Sequence, residues 1–305
     1  MTEPDPATCN ETTCGSCSQS GACPSAGNPP DPEGPPEAET EDQRLSRRMG
    51  QIQHKILVMS GKGGVGKSTV AVNLALSLRQ AGKRVGLLDV DIHGPSIPRM
   101  LQLKQAPQQS ADGAIIPLDY SGLKVMSIGF LLPKSDEAVI WRGPMKMTLI
   151  RQFLQDVAWG DLDYLVIDLP PGTGDEPLSV CQLAVPVDGA VVVTTPQDVA
   201  TSDVRRSIRF CEKLKLPVVG VVENMSGFVC PHCGEITHIF NQGGGEKMAT
   251  EMKVPFLGRI PIDAGIGAAC DQGTPFVENP TNTESAQAFA KIASSVLSLS
   301  KQPTP

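Results

Sequence analysis

Three observations predict an α/β fold built on a mostly parallel sheet. Apolar runs of strand length alternate with helix-length segments from Lys55 to Ala293, the pattern of a sheet covered by helices on both faces. The first run, Lys55-Ile56-Leu57-Val58-Met59, passes through a glycine-rich turn straight into the helical stretch Val70–Leu78. Two later strands end in carboxylates, Asp89 and Asp168, at the strand end where ligands of α/β proteins bind.

The turn after the first strand reads Gly61-Lys62-Gly63-Gly64-Val65-Gly66-Lys67-Ser68-Thr69. A strand before and a helix after make it a phosphate-binding loop rather than a glycine-rich connection without a ligand. Its glycines let backbone N–H groups turn inward around an oxyanion, and the helix N-terminus adds partial positive charge there. Lys67 is expected to reach the β- and γ-phosphates and the Ser68 hydroxyl to hold Mg2+. A second strand, Lys83–Asp89, runs into Val90-Asp91-Ile92-His93-Gly94-Pro95, so Asp89 and Asp91 share one face of the strand end. Leu123–Gly129 reads as a further strand, and Gly143-Pro144 opens a helix to about Ala158. Tyr164–Asp168 is an apolar strand ending in an acid, expected to bind Mg2+ directly or through water. The loop Leu169–Glu176 follows, then a strand at Gly189–Thr195, a helix at Asp198–Lys215, a strand at Pro217–Asn224 and a modest last helix from Glu284. No Asn-Lys-x-Asp guanine-reading motif occurs, so ATP is expected rather than GTP.

Residues 1–48 are assigned to an N-terminal tail and 49–305 to one nucleotide-binding domain. Between Pro29 and Asp42 the tail carries prolines and six acidic residues with no basic one, which predicts a mobile linker. Before it lie Cys9, Cys14, Cys17 and Cys23, spaced C-x4-C-x2-C-x5-C; four thiols in so short a polar segment can fold around one metal centre. Iron–sulfur and zinc both suit thiolate-only sites. A second pair, Cys230-Pro231-His232-Cys233, sits in a later loop, whereas Cys181, Cys211 and Cys270 lie in helix-like stretches and read as small buried apolar residues. A cubane cluster takes four thiolates and this loop supplies two, so a two-fold dimer axis would complete the set. Zinc completed by His232 or His238 within one chain is the competing arrangement. The net charge of −7 disfavours nucleic acid and anionic membranes as partners, and no run approaches the roughly 20 apolar residues of a membrane helix. Nine cysteines without an N-terminal apolar signal segment point to a reducing, cytoplasmic compartment.

The loop carrying both Lys62 and Lys67 resembles the deviant Walker A group of P-loop ATPases: the Min/Par ATPases, the nitrogenase iron protein and the Mrp-type iron–sulfur carriers. Trp141-Arg142-Gly143-Pro144, the Asp89–Pro98 and Leu169–Glu176 loops, the Cys230–Cys233 pair and the cysteine-bearing N-terminus together resemble the cytosolic branch of the Mrp-type carriers. The gap between Cys9 and Cys14 is shorter than in that branch. The resemblance implies a three-layer P-loop NTPase fold behind a flexible cysteine-bearing tail. It implies that Lys62 reaches the partner's nucleotide across a homodimer, Asp91 positions the attacking water and Gly172 senses the γ-phosphate. Asn224 and Asp263 are implied to contact adenine, and the tail to hold a [4Fe-4S] cluster. A second cluster is implied to bridge the Cys230–Cys233 pairs, for transfer to apo iron–sulfur proteins driven by slow ATP hydrolysis. A Min/Par-type positioning ATPase, an ATP-driven electron-transfer protein and a zinc-binding regulator are the alternatives; only the first has no use for Cys230 and Cys233.

Overall fold

The computed structural model describes residues 39–131, 143–230, 232–233, 235–278 and 283–299. The expected tail site at Cys9, Cys14, Cys17 and Cys23 lies outside the described residues, as do Trp141 and Arg142. The strands are β1 (Ile52–Ser60), β2 (Val85–Asp89), β3 (Leu118–Tyr120), β4 (Leu123–Ser127), β5 (Leu162–Asp168), β6 (Gly189–Thr194), β7 (Val218–Val229), β8 (Ile236–Thr237) and β9 (Phe256–Ile262). The helices are α1 (Glu41–Gly50), α2 (Lys67–Gln80), α3 (Ile97–Met100), α4 (Gly143–Gln155), α5 (Asp175–Leu183), α6 (Asp198–Lys213), α7 (Gly244–Met252), α8 (Ala264–Gln272) and α9 (Glu284–Leu299).

The strands form one sheet in the order β3-β4-β2-β5-β1-β6-β7-β8, with β9 also pairing with β7. Pairing is parallel throughout the centre; β3 on β4 and β8 on β7 are the antiparallel pairs. β1 is buried along almost its whole length because it lies between β5 and β6 and is covered on both faces. Its residues alternate: Leu57 and Met59 pack with α1, α4, α5, α6 and α7, whereas Ile56 and Val58 pack with α2, α3, α8 and α9. Two apolar layers thus enclose the sheet, as the near-continuous apolar strand runs require. In register, Asp89 stands opposite Asp168 and Asp168 opposite Val58, which brings the ends of β1, β2 and β5 to one level.

The folded unit begins at Glu41, ahead of the expected boundary at 49. Helix α1 has only two apolar residues, Leu45 and Met49, so composition alone assigns it to the tail. They stand four apart, on one face, and both are buried against α4. Burying two such side chains contributes roughly 1.5–3 kcal/mol each. Acidic residues in its first turn and arginines in its last match the helix dipole. Arg151 pairs with Asp42 at 2.8 Å and Arg44 with Asp156 at 3.4 Å across the same contact. Strand β7 also runs past its expected end at Asn224 to Val229. Among the described residues no helix is long and apolar enough to cross a membrane.

Candidate active site

The loop 61–66 leaves β1 at Ser60 and enters α2 at Lys67. Gly66 holds φ 81°, and a Cβ there would lie 2.2 Å from Asn224 Nδ2, so both backbone and space demand glycine. The same Asn224 amide donates to Val65 O at 2.9 Å, tying β7 to the loop. A Cβ on Gly61 would strike the backbone of Asp203 in α6 at 2.4 Å. No side chain caps α2 and no acid occupies its first turn, which leaves its N-terminal N–H groups and positive dipole end directed at an anion. A cavity of about 470 Å³ opens over this loop. Lys62, Gly63, Gly64, Lys67, Ser68 and Thr69 line one side, with Asp91, Ser96, Arg99 and Asp271 on others.

Three carboxylates gather around one cation beneath the loop. Lys67 Nζ lies 2.6 Å from Asp168 Oδ1 and 3.6 Å from Asp91 Oδ2, and Ser68 Oγ donates to Asp168 Oδ2 at 2.5 Å. Burial pulls the Lys67 ammonium down, but Asp168, Asp91 and Asp89 outweigh it and hold the pKa above the ordinary lysine value. Burial raises Asp168, with Lys67 and Ser68 opposing. Asp89 is fully buried; burial first and the neighbouring Asp168 second push its carboxyl up to about 8. It accepts from Asp91 N–H at 3.0 Å and from Ser127 Oγ at 2.9 Å.

A pH dependence follows from Asp89. Between about pH 4 and 8 the folded protein retains a proton there that the unfolded chain releases, so this group's stabilisation is present at low pH and lost as pH rises through that window. Without nucleotide or divalent metal, the melting temperature should fall as pH rises through it, and less steeply for Asp89→Asn. Thermal unfolding of both proteins checks this; parallel profiles would remove Asp89 as the source.

The two loops following β2 and β5 face each other here. Gly172 holds φ 92°, and its N–H donates to Ser60 O at 2.8 Å, which seats that loop against the end of β1. Farther out, Lys146 of α4 sits between Glu176 and His93. Burial would raise the Glu176 carboxyl, but the Lys146 hydrogen bond, the Glu176 backbone N–H and the charges of Lys146 and His93 together outweigh it and hold the pKa below the usual glutamate range. Asp263 stands elsewhere: it caps α8, accepting from Gly265 N–H at 2.8 Å and Ser285 Oγ at 2.8 Å, so both carboxylate oxygens are engaged. Neither it nor Asn224 is among the described residues lining the cavity. Arg99 and Asp271, absent from the sequence-based set, do line it. They come from α3 and α8, which only the fold brings together, and no local motif marks them.

Beyond Asn224, β7 kinks and continues to the paired cysteines. Met225 (φ 57°) and Gly227 (φ 83°) are left-handed, and the register with β9 shifts between Asn224 and Phe228. Glu223, fully buried, staples this excursion at both feet. Its carboxylate accepts from Ser226 Oγ at 2.6 Å on the way out, and from Gly243 N–H at 3.0 Å and Gly245 N–H at 2.6 Å on the way back. At the tip, Cys230 N–H donates to Glu235 O at 2.9 Å, closing a tight turn. Backbone N–H groups of Cys233 and then His232 point at Cys230 Sγ and hold its thiol below the usual range, as a metal-binding thiolate requires. Cys230 is half-buried and Cys233 exposed. Among the described residues no group of three or more His, Cys, Asp or Glu is placed to hold a metal ion.

The other cysteines divide. Cys211 is buried, as expected, 3.5 Å from Met59 Sδ, and Cys181 is half-buried; burial pushes the first up to about 12 and the second up to about 11. Cys270, expected to be buried, instead lines the cavity beside Thr69, its sulfur 3.9 Å from Thr69 Oγ1.

Strand, phosphate loop, helix and facing acids, with a second lysine in the loop, define a P-loop nucleotide-binding protein of the doubled-lysine class. The family model described as NUBPL iron-transfer P-loop NTPase matches residues 51–297, and the chain belongs to that family. It is 50% identical over 258 residues to the iron-sulfur cluster carrier protein of Methanocaldococcus jannaschii, covering 84% of this chain and 88% of the relative. It is likewise 50% identical over 254 residues to the cytosolic Fe-S cluster assembly factor NUBP2 of Gallus gallus, covering 82% and 93%. Among solved structures, a nucleotide-binding protein of Archaeoglobus fulgidus in complex with ADP, with cobalt found in it, superimposes with a TM-score of 0.70. Its identity is 44%, over 78% of this chain and 94% of that one. The cell division ATPase MinD of Pyrococcus furiosus shares the fold, with a TM-score of 0.60 at 24% identity over 81% and 99%.

Proposed function

We propose that the protein is an ATP-hydrolysing iron–sulfur cluster carrier of the cytosol. It binds Mg-ATP at the loop 61–69, works as a homodimer, and holds a [4Fe-4S] cluster as cargo between the two Cys230–Cys233 hairpins until an apoprotein receives it. The observation that carries this is the hairpin itself: a thiol pair preorganised by backbone N–H groups and one pair short of a cubane's ligand set. Two-fold pairing supplies the missing thiolates. The hairpin is also the continuation of β7, whose Asn224 touches the phosphate loop, so a change at the nucleotide has a covalent path to the cargo.

Ser68 Oγ and Asp168 Oδ2, hydrogen-bonded to each other, fit a shared Mg2+, which would neutralise charge on the phosphates. Lys67 would leave Asp168 for the phosphates, Asp91 would orient the attacking water, and Gly172 would sense the γ-phosphate. Lys62, at the cavity rim, would act on the partner's nucleotide. Slow turnover suits a carrier, since hydrolysis then times cargo release. In this reading Cys9, Cys14, Cys17 and Cys23 hold a second cluster that is separable from the domain. Anaerobic reconstitution followed by iron and sulfide analysis tests the proposal. About four of each per dimer is expected at the hairpins, beyond whatever a variant lacking Cys14 and Cys17 loses. Zinc alone would overturn it.

A further inference from the structure

Three polar side chains from three separate segments meet between the loops that follow β2 and β5. Lys146 stands in the first turn of α4, Glu176 in the first turn of α5, and His93 in the β2 loop. The Lys146 ammonium donates to Glu176 Oε1 at 2.8 Å and to His93 Nε2 at 3.0 Å, while His93 Nε2 lies 3.7 Å from Glu176 Oε1. The Lys146 and Glu176 side chains are only 14% and 17% exposed, unlike the long, solvated pairs that contribute little.

Each loop is pinned at its inner end to the sheet. Asp91 N–H donates to Asp89 Oδ1, and Gly172 N–H donates to Ser60 O. Their outer ends, just past Asp91 and Gly172, are joined through Lys146. Helix α4 makes a firm post for that lysine, because Leu149, Ile150, Phe153 and Leu154 are buried in the core and α1 lies against them. Lys146 is not among the described residues lining the cavity, and its side-chain hydrogen bonds are to the two loops.

We propose that Lys146 is a positioning residue for nucleotide hydrolysis: its ammonium holds the loop carrying Asp91 and the loop carrying Gly172 at one separation, so that attacking water and γ-phosphate meet in line. This rests on the roles given above to Asp91 and Gly172. Phosphoryl transfer depends almost wholly on placement and charge, with little covalent chemistry from the protein. A small change in loop separation therefore lowers turnover while leaving ground-state binding in place.

The test compares Lys146→Met, Lys146→Arg and Glu176→Gln with wild type in steady-state ATP hydrolysis and in Mg-ADP titration. Lys146→Met should lose about tenfold or more in kcat, with KM for ATP and Kd for Mg-ADP within about twofold of wild type. Lys146→Arg, which keeps a cation able to reach Glu176, should recover most of that loss. Glu176→Gln should reproduce the defect, and the Lys146→Met/Glu176→Gln double variant should be no slower than either single one. The isosteric Glu176→Gln carries the test if Lys146→Met lowers the melting temperature. Unchanged kcat, equal losses in kcat and affinity, or additive effects in the double variant would overturn the bridge. A wild type that binds nucleotide without any turnover would instead refute the hydrolysis reading, and the bridge with it.

Discussion

Lys67→Ala should lose nucleotide binding altogether at ordinary ligand concentrations. Among the described residues Lys67 is the cation set between Asp168, Asp91 and Asp89, and without it those carboxylates would face the phosphates uncompensated. Loss of a charge-assisted bond costs about 1.5–3 kcal/mol, and the exposed repulsion adds to it, so affinity should fall about a hundredfold or more. The folded domain should survive, because Asp89 already favours its protonated form and can stay neutral. Titration with a labelled nucleotide, beside a melting curve, measures both. Lys62→Ala offers the contrast: in the proposed reading Lys62 acts on the partner's nucleotide in the transition state, so binding should persist while hydrolysis falls. Near-normal binding by the Lys67 variant would mean that the loop is not the phosphate site.

If the proposed cluster bridges two hairpins, Cys230→Ser should remove it and weaken the dimer. Serine matches cysteine in shape but offers no thiolate, and the backbone N–H groups that lower the Cys230 thiol have no comparable effect on a hydroxyl. Each dimer would then present two of four thiolates, too few for a cubane. Reconstituted protein should lose the iron assigned to this site and shift toward monomer in analytical ultracentrifugation. Nucleotide affinity should hold, since the Glu223 staple and the Asn224–Val65 bond lie at the far end of the excursion. A variant with undiminished iron and an undiminished dimer would refute the shared site.

Much of this was legible in the chain because the decisive signals are local. The phosphate loop occupies consecutive residues between a strand and a helix, and Asp168 closes an apolar run, so periodicity and motif identify them together. The features that escaped are those made by distance. Glu223 reads as an ordinary strand residue until Gly243 and Gly245 return to it, twenty or more positions later. Lys146 meets His93 from 53 positions away and Glu176 from 30. Arg99 and Asp271 share a cavity only because α3 and α8 pack together. Helix α1 escaped for a different reason, since two buried side chains in ten residues barely change the composition. Asp263 carries a second local signal beside the one the resemblance gives it: an aspartate two residues before glycine at a helix start is a ready N-cap, and its carboxylate caps α8.

The seat of α1 changes what it means to remove the cysteine-bearing end. A chain shortened to begin at residue 49 would keep every strand and the whole phosphate loop, yet it would lose Leu45 and the pairing of Asp42 with Arg151. Leu149, Ile150 and Phe153 would then be uncovered, a greasy stripe on the flank of α4 inviting self-association. The same helix carries Lys146 at its other end. Clipping at 48 is therefore two operations at once, the loss of four thiols and the loosening of the post between the nucleotide loops. A clip that spares Glu41 onward separates them.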